Sequence, residues 1–205
     1  KEWINIIGVL VIITLLLSNA MGLAQSNAKR MLAYSSVSHA GYLALIFFGA
    51  NSLSLYNLAF YLFAYSLSTI GVFLTLIWVE KIKRETSFEA FKGLAKTEPI
   101  AAVATAVSLL SMAGIPLTAG FVAKFSIFAQ AMNGAAFLVL IAVIGSALSI
   151  AYYLRLIISM FFHKESSFKT SEKMSITYNI VAIFIIVAIL ALGIYPDLFK
   201  MQFGL

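Results

Sequence analysis

The fold is decided by residues 99–131, which read PIAAVATAVSLLSMAGIPLTAGFVAKFSIFAQA. This stretch carries a single charged residue, Lys124, and is longer than the roughly 20 apolar residues that a helix needs to cross a bilayer. Gly114, Pro116 and Gly120 interrupt it, because proline removes an amide donor and glycine loosens a helix. The sequence therefore predicts a discontinuous transmembrane helix over about 99–131, broken at these three residues.

The rest of the chain repeats this contrast between long uncharged runs and short charged clusters. Of its 205 residues, 62% are hydrophobic and 11% are charged, whereas a soluble domain has about 25% charged residues. Turn-forming residues divide the uncharged runs into about six spans, at about 4–24, 31–50, 57–79, 99–131, 135–162 and 175–195. We therefore predict an all-α fold, a polytopic transmembrane helix bundle.

Positive charges fall in alternate loops. The loops after spans two and four contain no lysine or arginine. The loops after spans one, three and five contain Lys29, Arg30, Lys81, Lys83, Arg84, Lys92, Lys96, Lys164, Lys169 and Lys173. Because cytoplasmic loops are enriched in lysine and arginine, we expect the charged loops to be cytoplasmic. In the second of them, Phe88, Phe91 and Ala95 recur at helical spacing, which fits either an amphipathic surface helix or a solvated connector.

The composition excludes several classes of site. Without cysteine the chain has no disulfide framework, no thiolate iron–sulfur ligation and no thiol catalysis. No glycine-rich phosphate loop follows a strand-like segment, and the net charge of +6 lies in membrane-flanking loops. We therefore expect no cofactor or metal in this chain and no nucleic-acid partner. The chain begins with Lys1 and has no signal-peptide cleavage site, so we expect a piece of a longer protein.

Lys124 is the first candidate functional residue. All eight acidic residues lie in loops or at the ends, so no carboxylate within the spans pairs with it. A buried, unpaired ammonium is costly, and such a lysine can exchange its proton near neutral pH. We interpret Lys124 as a proton carrier. The alternative is a lysine that extends to the interface from a helix that is merely kinked.

Span two carries a polar stripe. Ser35, Ser38, His39 and Tyr42 follow i, i+3, i+4, i+7 spacing and share one helix face. His39 titrates near physiological pH and lies about 15 Å deeper than Lys29 at helical rise. We take Lys29 and His39 as candidate proton-transfer groups and the other three as an auxiliary polar path. Interhelical hydrogen bonding would also explain the stripe, and Lys29 also fits an interfacial anchor.

Two more polar residues lie within the spans. Tyr65 shares a face of span three with Tyr61 and Ser68, and we place Tyr65 on the auxiliary polar path. Arg155 lies seven residues from the charged end of span five, within reach of the interface, and we interpret it as structural.

Four motifs carry a family resemblance. They are QSNAKRMLAYSS at 25–36 continuing to HAGY at 39–42, SMAGIPLTAGFVAKF at 111–125, YYLR at 152–155 and GIYP at 193–196. Together they resemble the antiporter-like membrane subunits of respiratory complex I, the NADH:quinone oxidoreductase. The resemblance implies that residues 1–162 form the second five-helix antiporter-like repeat, family helices nine to thirteen. Residues 163–205 would then form a cytoplasmic loop, the terminal transmembrane helix and a tail.

The resemblance also implies a function. The chain would be part of a proton-translocating, non-redox subunit in which Lys124 is the family's helix-twelve lysine. Quinone, FMN and iron–sulfur clusters would be held by partner subunits, and the bacterial inner membrane is the expected location. Expected partners are other complex I membrane subunits, the first half of the same subunit and the lipid bilayer. An Mrp-type cation/proton antiporter subunit and a purely structural membrane bundle are the alternatives.

Overall fold

The computed structural model describes residues 2–163 and 173–199, and these residues are helical with short connections. The helices are α1 (Glu2–Leu23), α2 (Ala28–Ala44), α3 (Ser54–Lys83), α4 (Leu94–Thr97), α5 (Pro99–Ala113), α6 (Ala119–Phe161) and α7 (Ile176–Ile194). Two 3-10 turns, Leu45–Phe48 and Phe88–Phe91, precede the connections to α3 and α4. The predicted all-α fold is confirmed. Lys164 and Lys169 of the third charged loop lie outside the described residues.

Five segments are long and apolar enough to cross a membrane. They are α1, α2 with its 3-10 turn, α3, α6 and α7, while α5 is a shorter apolar helix of 15 residues. The interior of the bundle contains many buried hydroxyl groups beside its apolar core, whereas many other large apolar side chains face outward. Buried hydroxyl residues include Ser35, Ser38, Ser68, Thr75, Thr105, Ser108 and Ser111. This distribution is typical of helices that pack against each other within lipid, and the predicted polytopic bundle is confirmed.

Helix α6 folds back on itself at Ala135, where the backbone is not helical. Lys124 Nζ lies 2.9 Å from Ser146 Oγ, although 22 residues of straight helix would separate them by roughly 33 Å. Residues 119–134 and 136–161 therefore run antiparallel, and we name them the first and second limbs of α6. They correspond to the end of predicted span four and to span five.

The connections that carry charge meet at one end of the bundle. The Ala28 amide donates to the Thr86 carbonyl at 2.8 Å, and the Phe88 amide donates to the Ser26 carbonyl at 3.0 Å. The Gly93 amide reaches the end of α6 through the Ser159 carbonyl. We call this the charged-loop end, formed by residues 24–27 and 84–98. The first and second charged loops therefore lie at the same end of the bundle, as the alternation of charge along the sequence predicts.

The second charged loop is a folded cap. Its Phe88–Phe91 turn and α4 place Phe91 and Leu94 in the core, with 1% and 0% of their surfaces exposed. Gly93 separates the two pieces with a positive φ of 69°. The structure thus has neither the amphipathic surface helix nor the solvated connector considered from sequence. The apolar side chains at helical spacing, Phe88, Phe91 and Ala95, pack against the core of the bundle from two short helical turns.

Candidate functional site

The site begins where the discontinuous helix breaks. Helix α5 ends at Ala113, and Gly114 takes the left-handed conformation with φ 86°, which favours glycine. Pro116 lies in the connection, and Thr118 starts α6 by accepting a hydrogen bond from the Phe121 amide. The predicted discontinuous helix is confirmed.

Gly120 has a different part in this break from the one inferred from sequence. It lies within the first turn of α6. A Cβ on Gly120 would stand 1.9 Å from the Ser111 carbonyl oxygen, and the Gly120 amide donates to Ser111 Oγ at 3.1 Å. Gly120 is thus the contact point where α6 crosses the end of α5, while Gly114 and Pro116 interrupt the helix.

Lys124 is buried one turn beyond this crossing. Only 4% of its surface is exposed, and Nζ donates to the Ala113 carbonyl at 3.1 Å and to Ser146 Oγ at 2.9 Å. The Ala113 carbonyl belongs to the last turn of α5, where no further helical turn supplies a donor. Such burial disagrees with the alternative of a lysine extending to the interface.

An aromatic ring completes the surroundings of the amine. Nζ lies over the Tyr42 ring, 4.5 Å from its centroid. Among the described residues Lys124 forms no ion pair; the ion pairs found there are Lys29–Glu80 and Lys92–Glu89. The amine is therefore held by a carbonyl, a hydroxyl and a ring face, all of them neutral.

Lys124 lines two cavities. A cavity of about 10 Å³, room for about one water molecule, is also lined by His39, Tyr61 and Tyr65. A cavity of about 340 Å³ lies between the limbs of α6, with Phe125 at its exposed wall. The Lys124 side chain thus contributes to the walls of both cavities.

His39 lines the smaller cavity together with Lys124. Its Nδ1 lies 2.8 Å from the Tyr61 hydroxyl, and its ring stacks at 4.5 Å on Tyr65. The histidine is buried, and its hydrogen-bond partner Tyr61 belongs to α3, not to its own helix α2. The geometry brings together Lys124, His39 and Tyr65.

Comparison with known proteins places the chain in a family. Residues 1–149 match the family described as "NADH:quinone oxidoreductase/Mrp antiporter, TM". The chain belongs to this family. It is an integral membrane protein with the antiporter-like fold, as the four sequence motifs implied.

The relatives of this antiporter-like chain include NADH-quinone oxidoreductase subunits N. That of Rhodococcus opacus is 37% identical over 199 residues, covering 96% of this chain and 37% of the relative. That of Thermodesulfovibrio yellowstonii is 41% identical over 161 residues, covering 78% of this chain and 34% of the relative. The chain spans about two fifths of the length of the curated relatives it matches. Among the antiporter-like subunits the sequence is predicted to resemble the N type in particular, and these relatives confirm that prediction.

Solved structures show the same antiporter-like fold. A chain of respiratory complex I from Thermus thermophilus with bound aureothin matches with a TM-score of 0.82 and 33% identity, over 95% of this chain and 44% of that chain. A chain of the Mrp complex from Dietzia has a TM-score of 0.82 at 22% identity, over 94% of this chain and 44% of that chain. The Mrp likeness concerns the fold alone.

Lys29 of this antiporter-like chain lies away from the Lys124 site. Its Nζ pairs with Glu80 at 2.8 Å near the charged-loop end, and both side chains are about half exposed. A cleft of about 340 Å³ runs inward from Lys29 past Ser36 and Thr69 to Tyr65. Because Tyr65 also lines the cavity of His39 and Lys124, this cleft ends at the wall of that cavity. A proton-transfer role for Lys29 remains a prediction.

The two serines of the polar stripe contact neighbouring helices. Ser35 is hydrogen-bonded to the Tyr153 hydroxyl, and Ser38 Oγ lies 2.7 Å from Ser18 Oγ. These contacts are the interhelical hydrogen bonds weighed as the alternative, and they lie outside the two cavities of Lys124. A part in the proton path remains a prediction for both serines.

Three residues of the site were missed or undervalued from sequence. Ser146 is not among the candidates predicted from sequence, yet its Oγ accepts a hydrogen bond from Lys124 Nζ. Asn19 supports Tyr42, and Ser111 joins the crossing at Gly120 to Ser68 of α3. An amide within the apolar helix α1 was the available signal for Asn19, because asparagine within lipid needs a partner.

Arg155 fastens α1 to the cap at the charged-loop end. Its Nη1 donates to the Leu23 carbonyl, the last residue of α1, at 2.7 Å, and its guanidinium lies 5.1 Å from the Phe88 ring centroid. A cation is favourable at a helix C-terminus, where carbonyls lack donors. The contacts agree with a structural role.

We expect Arg155→Leu to reduce the amount of assembled complex in membranes and to leave proton translocation per assembled complex unchanged. Loss of an exposed charged hydrogen bond and a cation–π contact is worth on the order of 1–2 kcal/mol. Native gel electrophoresis of solubilised membranes measures assembly. The amount of complex assembled with Arg155→Lys, which keeps the charge, should lie between those of the unmodified protein and Arg155→Leu. Normal assembly combined with lost translocation would contradict the structural interpretation.

Proposed function

We propose that this chain is part of a proton-translocating membrane subunit of an NADH:quinone oxidoreductase, and that Lys124 carries the proton. The observation that supports this most is the placement of one buried amine in the walls of two cavities, where a broken helix frees a carbonyl. Quinone reduction elsewhere in the complex would drive the movement. The chain itself would have no catalytic redox site.

Energetic scales are compatible with a single lysine in this role. Moving one charge across 100 mV requires about 2.3 kcal/mol. A unit charge that appears about 10 Å away in a neighbouring subunit changes the energy of the ammonium by about 2 kcal/mol at an effective dielectric constant of 20. Because these quantities are similar, charge changes nearby can load and unload Lys124. The neutral partners of Nζ do not fix it in one protonation state.

The remaining candidates take supporting roles in this proposal. His39 would exchange protons with Lys124 through the small cavity, and Lys29 would mark the entrance of the cleft that ends at Tyr65. Ser35, Ser38 and Tyr65 would belong to the auxiliary polar path, the role that the sequence also suggested for Tyr42. The charged-loop end would face the cytoplasm of a bacterium, with the chain in its inner membrane.

The rest of the machinery would be supplied by partners. Quinone, FMN and iron–sulfur clusters would be bound by other subunits of complex I. Other membrane subunits and the first half of the same subunit would surround this chain within the lipid bilayer. The chain spans only about two fifths of its relatives, so these partners are part of the proposal.

An Mrp-type cation/proton antiporter subunit is the second candidate, because the family description covers both classes. A purely structural bundle is less well supported, since two cavities adjoin the buried amine. The two transport functions differ in the ion moved and in the source of energy.

The test measures both ions in inverted membrane vesicles that contain the whole complex. With NADH added, we expect proton uptake in sodium-free buffer that a protonophore abolishes. In a parallel sample that contains radioactive sodium, we expect NADH oxidation to drive no sodium uptake. Vesicles given a quinone-site inhibitor serve as the control and should take up no protons. Sodium-dependent proton movement without NADH oxidation would instead favour the antiporter function.

A further inference from the structure

The ammonium of Lys124 has three partners from three different elements. The Ala113 carbonyl comes from the end of α5, Ser146 Oγ from the second limb of α6, and the Tyr42 ring from α2. The first two accept ordinary hydrogen bonds. Tyr42 presents its ring, at 4.5 Å from centroid to Nζ, where a carboxylate would stand in an ordinary buried ion pair.

The orientation of Tyr42 is fixed from all sides. Its side chain is 1% exposed, and its ring packs at 5.8 Å against both Phe128 and His39. Its hydroxyl lies 3.5 Å from Asn19 Nδ2, while Asn19 Oδ1 accepts a hydrogen bond from Tyr152. The hydroxyl is thus directed to α1 and away from the amine, so the ring cannot turn without breaking this support.

An aromatic face suits a proton carrier better than a carboxylate does. The electron-rich face of a ring attracts a desolvated cation. The ring carries no full charge and accepts no proton, so it stabilises the ammonium without forming an ion pair that would retain it. The hydroxyl, held by Asn19, is not placed to pass a proton to Nζ.

We propose that Tyr42 is a positioning residue of the proton site, and that its ring face, not its hydroxyl, stabilises the charged form of Lys124. This inference rests on the proposed function of Lys124. It replaces the polar-path role suggested by the sequence with an electrostatic one.

The ionisable neighbours must be considered in any test that varies pH. His39 on α2 and Tyr61 and Tyr65 on α3 line the small cavity with Lys124, and Tyr152 on the second limb reaches Tyr42 through Asn19. Within the described residues, α5 contributes no ionisable side chain, and α1 contributes only Glu2 at its far end. His39 is the imidazole among these neighbours, so the experiment includes a variant that lacks it.

The experiment compares Tyr42→Phe with Tyr42→Leu in the whole complex. Protons translocated per NADH oxidised are measured in inverted vesicles between pH 6 and pH 9. We expect Tyr42→Phe to keep the profile of the unmodified protein. In Tyr42→Leu, translocation should equal it at pH 6 but decline about one pH unit earlier, because the ammonium loses about tenfold in stability. A His39→Phe background should translocate less, because His39 is proposed to exchange protons with Lys124. The same shift relative to that background should persist if titration of His39 does not cause it.

A second series keeps the size of the side chain in case Tyr42→Leu fails to assemble. In the Tyr42→Phe variant, the introduced side chain is replaced in turn by its mono-, di- and trifluorinated forms. Each fluorine lowers the electron density of the ring face at nearly constant shape, which weakens its attraction for a cation. The decline should move to lower pH with each fluorine. Equal profiles across the series, a shift already present in Tyr42→Phe, or a shift that vanishes without His39 would each overturn the inference.

Failure of this inference is distinguishable from failure of the proposed function. If Lys124→Met vesicles translocate protons normally, the proposed function of Lys124 is wrong and the role of Tyr42 is refuted with it. If Lys124→Met abolishes translocation while the fluorinated series gives one common profile, the role of Tyr42 alone is refuted.

Discussion

Lys124→Met is expected to lower the protons translocated per NADH oxidised at least fivefold while the complex remains assembled. Methionine fills a similar volume but has no titratable group. The substitution leaves no buried partner unpaired, because Ser146 Oγ already donates to the Ala113 carbonyl at 2.9 Å. The loss would therefore report on the proton and not on the fold.

Lys124→Arg tests the same residue from the opposite direction. The guanidinium keeps the positive charge but does not release its proton, so translocation should also be lost. Two variants, one never charged and one always charged, thus share one expected result if exchange of the proton is what matters. The matched control is Lys173→Met, at an exposed lysine near the charged-loop end, which should translocate normally. Normal translocation by Lys124→Met, or by Lys124→Arg, would contradict the role as a proton carrier.

The break and its lysine could be predicted because their signals are local in sequence. Gly114 and Pro116 cannot continue a regular helix, and Lys124 is the single charge in a long apolar stretch. The positive charges of alternate loops likewise predicted which connections meet at one end, and the packing of Ala28 on Thr86 agrees. These properties depend on the residues themselves more than on their neighbours.

The partners of Lys124 could not be predicted, because they depend on how distant segments return. Ser146 reaches Nζ only because α6 reverses at Ala135 and its second limb runs back past the first. Tyr42 arrives on α2, whose closeness to the first limb of α6 has no signal in local spacing. The sequence pattern also does not tell whether Tyr42 faces Lys124 with its ring or with its hydroxyl.

The polar stripe of α2 shows how one helix face is divided by its surroundings. Ser35 and Ser38 turn to the second limb of α6 and to α1, while His39 turns to α3 and Tyr42 to Lys124. Spacing of i, i+3, i+4, i+7 places side chains along one stripe, but the stripe is wide enough to meet several neighbours. The spacing identified the shared face, and the separate partners of the four side chains became visible only in the packing.

The second large effect is expected at the crossing of α5 and α6, where Gly120→Ala, the addition of one methyl group, should prevent assembly of most of the complex. In Gly120→Ala the new Cβ would stand 1.9 Å from the Ser111 carbonyl oxygen and 2.9 Å from Ser111 Oγ. Both atoms belong to packed helix ends, so the two helices must separate. Overpacking typically destabilises by about 1–3 kcal/mol, and by more where the clash is with backbone that cannot move. We expect little assembled complex in the membrane, and a clearly lower Tm for any that is purified.

Gly8→Ala is the matched control for this substitution, since Gly8 is also a glycine within an apolar helix. Its Cβ would meet side-chain atoms no closer than 3.6 Å, an ordinary van der Waals contact. Alanine is the better helix former by about 0.5–1 kcal/mol, so assembly and Tm should be unchanged or slightly raised. Equal assembly of both variants would mean that the helices can separate at Ser111 without loss. The close crossing would then not be what positions Lys124 next to the Ala113 carbonyl, and the link between the broken helix and the proton site would fail.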